Sequence, residues 1–261
     1  MSFKERNHFE MPKKNNHFLW RYIDKWKLES ILKNKSLFFC RADSFLGDLT
    51  EGMIPNKVLN ILGQQLLKSN QNSSTADKKE FYEDDMYTKL AKDYAARTLV
   101  SCWNYSDGED KKLWSEYTTS PESVVIKTTI DSMKGCFEGI LENIHGSKVR
   151  YLDYDTDILY GSDFPAETLN IVHFTLHKRK QFEHEKEYRF VHILNPDKGS
   201  EWDWNKEKFV KGKGKLIKAD IDTLISEVRV HPNSDSAFQK EVQQLLSDAN
   251  LNKPVNFSKF A

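Results

Sequence analysis

The stretch from Trp20 to Gly52, WRYIDKWKLESILKNKSLFFCRADSFLGDLTEG, constrains the fold more than any other segment of the chain. An apolar run from Phe18 to Ile23 reads as a strand. Asp24 ends it and can cap a helix in which Leu28, Ile31 and Leu32 fall at helical spacing. Only Asn34 and Lys35 then separate the helix from Ser36 to Arg41, whose Leu37, Phe38 and Phe39 form a short buried strand. Arg41, Asp43, Asp48 and Glu51 follow at once. Charge at the exit of a rigid strand is a common way to hold a site.

The rest of the chain mixes the two periodicities. Val58, Leu59, Ile61, Leu62, Leu66 and Leu67 predict a helix from Pro55 to Leu67, and Tyr82, Met86, Leu90 and Tyr94 predict another from Ala76 to Arg97. TLVSCW, from Thr98, reads as a strand, after which Asp110 can cap a short helix carrying Leu113, Trp114 and Tyr117. SVVIKTTI, from Ser123, is a strand, Met133 to Ile144 a helix, and KVRYLDYD a further strand. In the predicted strand Glu185 to Leu194, residues Glu185, Glu187, Arg189 and Val191 share one face. KLIKAD, EVRVHP and PVNFS are short strands, and the last helix has Ser236 and Gln239 as a capping box. There is no regular βα alternation and no Gly-rich phosphate loop. The pattern predicts a single α+β domain over 18–261, with a mixed, mainly antiparallel β-sheet and peripheral helices. A polar lead occupies 1–17 and a helical insertion lies near 55–97.

Lys and Arg balance Asp and Glu at 39 each, so bulk electrostatics support neither nucleic-acid coating nor an acidic substrate. Three cysteines without metal-ligand spacing read as reduced thiols, with Cys40 and Cys102 as core packing. The first residues lack an apolar signal region and no run reaches membrane-spanning length, which predicts a cytoplasmic protein without membrane partners.

Several residue groups carry chemistry. Asp43, Asp48 and Glu51 can offer oxygen ligands to Mg²⁺ in a nuclease or phosphotransferase; alternatively they build a turn around Gly47, with Arg41 neutralising Glu51. His173 and His177 are four apart with His184 close by, a spacing that serves zinc on a helix or places ordinary surface histidines. Trp103, Trp114 and Tyr117 can stack a planar ring or dock a helix onto the core. Lys178, Arg179 and Lys180, with KGKGK from Lys211 to Lys215, form either a phosphate site or solvated loops. These basic and aromatic loops also allow a non-enzymatic module that recognises a protein or nucleic acid on a shallow surface.

Four pieces taken in order, WRYIDKWKLESILKNKSLFFCRAD…EG, SCW…LWSEY…SVVI, KRKQFEHEKEYRFV and VRVHP…VQQLL…NFS, resemble the bacterial domain-of-unknown-function family 2971 from about Leu19 to Ser258. The same order is more distantly similar to the ADP-ribosyltransferase fold, in which an early-strand Arg or His and a late-strand Glu complete an NAD site. Phe38 and Phe39 stand where that fold carries a Ser-Thr-Ser or Tyr pattern. The resemblance implies an enzyme that processes NAD or another nucleotide, a bacterial toxin or phage-defence effector, with NAD as substrate and no permanently bound cofactor. It implies that Arg21 binds phosphate or ribose, with Tyr22 beside it and Trp103 against a ring. Glu187 would support the transition state and Glu185 orient a macromolecular acceptor, while Arg41 and Glu51 line the pocket. The competing reading makes Arg21 and Glu187 members of separate structural ion pairs. The nucleotide reading requires the two side chains to converge on one cleft, and it is expected to fail if they point to opposite faces of the sheet.

Overall fold

A computed structural model of the protein describes residues 3, 10–12, 17–45, 52–61, 85–158, 175–194 and 213–261, with backbone alone for 85–90. In chain order the elements are β1 (Phe18–Asp24), α1 (Lys25–Asn34), β2 (Ser36–Arg41), α2 (Asp85–Arg97), β3 (Thr98–Tyr105), α3 (Lys111–Tyr117), β4 (Ser123–Thr129), α4 (Ile130–Gly135), β5 (His145–Lys148), β6 (Arg150–Leu152), β7 (His177–Arg179), β8 (Glu187–Ile193), β9 (Gly214–Lys218), α5 (Ile221–Leu224), β10 (Glu227–Val230), α6 (Ser236–Asp248) and β11 (Val255–Phe257). Residues 56–61, between β2 and α2, are helical. Among the described residues no helix is long and apolar enough to cross a membrane.

Among the described residues nine strands form one sheet in the order β11-β10-β4-β1-β3-β2-β9, with β8 pairing β3 and β5. All its pairings are antiparallel except β10–β11, and β6 and β7 form a separate parallel pair. The architecture is therefore α+β with a mixed, mainly antiparallel sheet. β1 is buried on both faces. Leu19 and Ile23 join the main core with Leu28 and Ile31 of α1 and Val242 of α6, whereas Trp20 and Tyr22 pack with Leu113 and Trp114 of α3.

The centre of the sheet is split. β8 runs along one edge of β3 from Thr98↔Ile193 to Asn104↔Glu187. The other edge is shared: β2 holds Leu99 and Val100 through Arg41 and Cys40, and β1 holds Asn104 and Tyr105 through Trp20 and Leu19. Between these two short ladders Ser101, Cys102 and Trp103 are paired with β8 alone among the described residues. β1 and β2, joined through α1, thus part along this edge of β3 and leave a wedge between them.

Several local expectations are corrected. Asp24 begins α1 without capping it; its Oδ1 instead accepts from the Thr119 N–H, the Thr119 hydroxyl and the Ser123 hydroxyl. Asp235, rather than a Ser236–Gln239 box, caps α6 by accepting from Phe238 N–H at 2.8 Å, and Gln239 donates to the Val255 carbonyl. A carboxylate is the better acceptor at a helix N-terminus, where the dipole favours negative charge. The helix expected from Met133 spans Ile130–Gly135, because the Thr129 hydroxyl ends β4 by accepting from Ser132 N–H. The expected strand from Glu185 starts at Glu187, since Lys180–Glu185 is a 3-10 turn. KGKGK is no phosphate loop where it is described: Gly214 opens β9, and a Cβ there would stand 2.2 Å from the Phe39 carbonyl oxygen. Part of the polar lead joins the sheet region. Phe3 bridges Ile144 and packs edge-on against Phe190, and Glu10 N–H donates to Ser147.

One buried carboxylate fastens the α3 side. Glu109 accepts from Arg229 Nη1 at 2.6 Å, Trp114 Nε1 at 3.0 Å, Ser258 Oγ at 2.5 Å and Lys259 N–H at 3.2 Å. Glu109→Ala leaves these donors unpaired and is expected to cost on the order of 3 kcal/mol in chemical denaturation. Removing the partly exposed Glu116 carboxylate is expected to cost less than about 1 kcal/mol.

Candidate active site

The wedge between β1 and β2 opens into a cavity of about 620 Å³, within the roughly 300–1,000 Å³ range of small-molecule sites. Its lining comes from both faces of the sheet. By the pleat, Arg21 shares a face with Ser101 and Trp103, while Glu187 lies on the opposite face with Asn104 and Cys102. The opposite faces meet the condition set against the nucleotide reading, while the cavity that Arg21, Trp103, Cys102, Asn104 and Glu187 all line meets the condition set for it. The mouth is apolar: Trp26, Phe38, Leu216 and Tyr117 line it while keeping large exposed surfaces.

Arg21 spans the wedge. Its Nη1 donates to Ser101 Oγ at 2.9 Å and its Nη2 to the Phe38 carbonyl at 3.4 Å, joining β1, β3 and β2. Ser101 Oγ also accepts from Trp103 Nε1 at 3.1 Å, and the guanidinium lies 5.4 Å from the Trp103 ring centre. Both acceptors are neutral, and among the described residues Arg21 meets no carboxylate. Burial lowers its pKa, and the nearby Cys102 and Cys40 offset part of that cost. A partly buried cation that faces a cavity and meets no carboxylate among the described residues is an anion-binding arrangement.

The second centre is a pair of carboxyls. Lys178 of β7 donates to Glu185 Oε2 at 2.6 Å and to Glu187 Oε1 at 3.1 Å, and Arg189 Nε donates to Glu187 Oε2 at 2.5 Å. Glu187 N–H donates to the Tyr151 hydroxyl, and Arg189 Nη1 to the Thr175 carbonyl. Burial would raise the Glu187 carboxyl, but the Arg189 guanidinium, a hydrogen bond from Glu185 and the Lys178 ammonium hold it well below the usual range. Burial, reinforced by the hydrogen bond to Glu187 and its charge, pushes Glu185 up to about 8 against the pull of Lys178. Lys186 between them adopts φ +43°, a left-handed conformation that costs a non-glycine residue roughly 1–2 kcal/mol. Such strain concentrates at functional sites. Tyr117 reaches the pair from α3, its phenol raised by burial and by the Glu187 and Glu185 charges. Glu116 beside it meets His184 Nε2 at 3.0 Å, tying α3 to the turn that carries Glu185.

The structure thus brings Arg21, Tyr22, Trp103, Glu185 and Glu187 to one cavity. Tyr22 contributes its ring, since its hydroxyl already accepts from Asp110 N–H at 2.6 Å. Trp103 is 1% exposed and lies beside the guanidinium, so it supports Arg21 more than it offers a stacking face. Arg41 is not brought to the cavity. It shares a face with Leu37 and Phe39, and its guanidinium grips Asp43 through Nε–Oδ1 at 2.9 Å and Nη2–Oδ2 at 2.7 Å. Asp48, Glu51 and His173 lie outside the described residues, and His177 stands on β7 rather than a helix. Among the described residues no group of three or more His, Cys, Asp or Glu side chains is placed to hold a metal. Sequence reasoning missed Asn104, Tyr117's contact with the carboxyls, Cys40 and Cys102 as lining residues, and Lys178, which is buried rather than part of a basic surface.

No protein-family model matches the chain, and no curated protein matches it. Two solved structures are loosely similar in fold. DarT of Thermus sp. 2.9 in complex with NAD+ is 10% identical, with 95% of this chain and 98% of that chain covered at a TM-score of 0.40. The same protein in complex with carba-NAD+ is 10% identical, with 96% and 98% covered at 0.37. An overlap of this size carries no functional argument.

Glu185 gives a pH signature. Its folded pKa of about 8 lies above the unfolded value of about 4.3, so the stability it contributes is complete below the unfolded value and is lost as pH rises through about 8. Denaturant unfolding across this window is expected to show a fall in wild-type stability that is reduced in Glu185→Gln.

Proposed function

We propose that the protein is an enzyme that processes NAD or a related nucleotide, of ADP-ribosyltransferase-like type, with its reaction centre in the cavity between β1 and β2. One observation carries this reading: a partly buried Arg21 facing neutral acceptors and the Glu185–Glu187 carboxyl pair line the same apolar cavity. A dinucleotide presents the complementary groups, an anionic diphosphate for a guanidinium, ribose hydroxyls for a carboxyl, and flat rings for apolar and aromatic walls. In this reading Arg21 holds phosphate oxygens and Glu187 supplies a fixed negative charge where positive charge develops on the ribose as the nicotinamide bond breaks. Glu185 then faces the incoming acceptor. A toxin or phage-defence role, implied by the sequence resemblance alone, is compatible with such chemistry.

The other readings meet less support. A magnesium site at Asp43, Asp48 and Glu51 begins with Asp43 already held by a bidentate Arg41. An interaction module calls for a shallow polar surface, whereas this cavity has largely apolar walls and a buried charged floor.

Calorimetric titration with NAD is expected to show binding that Arg21→Ala weakens by about ten- to a hundredfold, the loss of one or two charged hydrogen bonds. Glu187→Gln is expected to bind NAD within a few-fold of wild type while nicotinamide release falls by about a hundredfold or more. Binding indifferent to Arg21, or no NAD binding at all, would sink the proposal.

A further inference from the structure

Lys178 is the cluster residue whose arrangement the proposed reaction does not by itself require. It sits on β7, buried beneath the Phe182 ring at 4.6 Å, with one ammonium bridging two carboxyls that belong to different local structures, the 3-10 turn and β8. Glu187 is held at both oxygens, Oε1 by Lys178 and Oε2 by Arg189. Glu185 meets Lys178 at one oxygen. Where two carboxyls are bridged by one ammonium, a proton bound to the pair resides on the carboxyl with less cationic contact. Resting on the nucleotide reading of this site, we infer that Lys178 is the positioning residue that completes a division of the pair. Arg189 on Glu187 Oε2 leaves Glu187 as the permanent charge, and Lys178, closer to Glu185 Oε2 than to Glu187 Oε1, eases proton loss from Glu185, the carboxyl that gains and loses a proton at the cavity.

The surroundings of Glu185 fit this division. Glu187 faces it from β8, Lys178 from β7, Tyr117 from α3 and Tyr151 from β6, and Arg189 acts on it through Glu187. Of these, only Lys178 brings a positive charge into direct contact with Glu185 among the described residues. Proton loss from Glu185 creates a second negative charge beside Glu187, and the bridging ammonium is the group placed to compensate it. Removing the ammonium therefore makes proton loss harder, while leaving the Arg189 hold on Glu187 in place.

A carboxyl ¹³C titration of the glutamates in the ligand-free full chain tests this. One carboxyl is expected to titrate well above the others in wild type, to vanish from the alkaline region in Glu185→Gln, and to move upward by about one unit or more in Lys178→Met. Lys178→Arg, which keeps the charge, is expected to return most of that shift. Should Lys178→Met fail to fold, the Nζ ¹⁵N signal of Lys178 in wild type decides, since it is expected to change with the same midpoint. An alkaline midpoint that persists in Glu185→Gln, is unmoved in Lys178→Met, or leaves the Lys178 signal unaffected overturns the inference. The pH dependence of nicotinamide release is expected to follow that midpoint in each variant. If the titrations behave as described but NAD does not bind, the nucleotide reading fails and the division of the pair stands. If NAD binds and the midpoint ignores Lys178, the division alone fails.

Discussion

The site depends on a strand edge shared by two partners. One edge of β3 has room for one neighbour along its length, yet β1 and β2 each take one end of that edge, and the ladders of the described residues leave a gap between them. A gap in a sheet costs unpaired backbone unless something spans it. Arg21 does so from β1, reaching the side chain of β3 and the backbone of β2 with one planar group. The buried Ser101 hydroxyl accepts from both Arg21 and the Trp103 indole, so a single small residue fixes where the guanidinium lies. The cavity follows from this geometry among the described residues.

Burying Lys178, Glu185, Glu187 and Arg189 together is a poor way to gain stability. Desolvation of each ion costs several kcal/mol, and an apolar group of similar size often does as well. Their hydrogen bonds make the cluster tolerable, and its position against a cavity explains why charge is retained there. The opposite case is Glu109, whose donors come from α3, β10 and residues 258–259. That carboxylate does not touch the cavity lining itself, but it anchors the helix that presents Tyr117 to the carboxyl pair.

Much of the fold was legible because local chemistry agreed with tertiary structure. The apolar spacing of Leu28, Ile31 and Leu32, the alternation in Glu187–Ile193 and the cap at Asp110 all describe elements that form as their residues predict. Boundaries failed where neighbouring residues compete for one role, as Asp235 does with Ser236. The site was harder. Arg21 and Glu187 could be singled out by order along the chain, but their common cavity depends on a split that no periodicity encodes. Lys178 carries the same local signal as the basic residues beside it, and only the register of β7 buries it. Arg41 misled because strand alternation turns it away from Phe38 and Cys40, which do line the cavity.

The shared edge of β3 also has a consequence for synthesis. β1, α1 and β2 leave the ribosome first, but their gap has no floor until residues 98–105 arrive and no carboxyl pair until β8 follows. Leu216 of the mouth comes later, and the donors to Glu109 at 258 and 259 later still. Contacts of such long sequence separation form slowly. A partly made chain therefore carries Arg21 without its counterpart, and the order of translation alone keeps the growing polypeptide from holding a complete site.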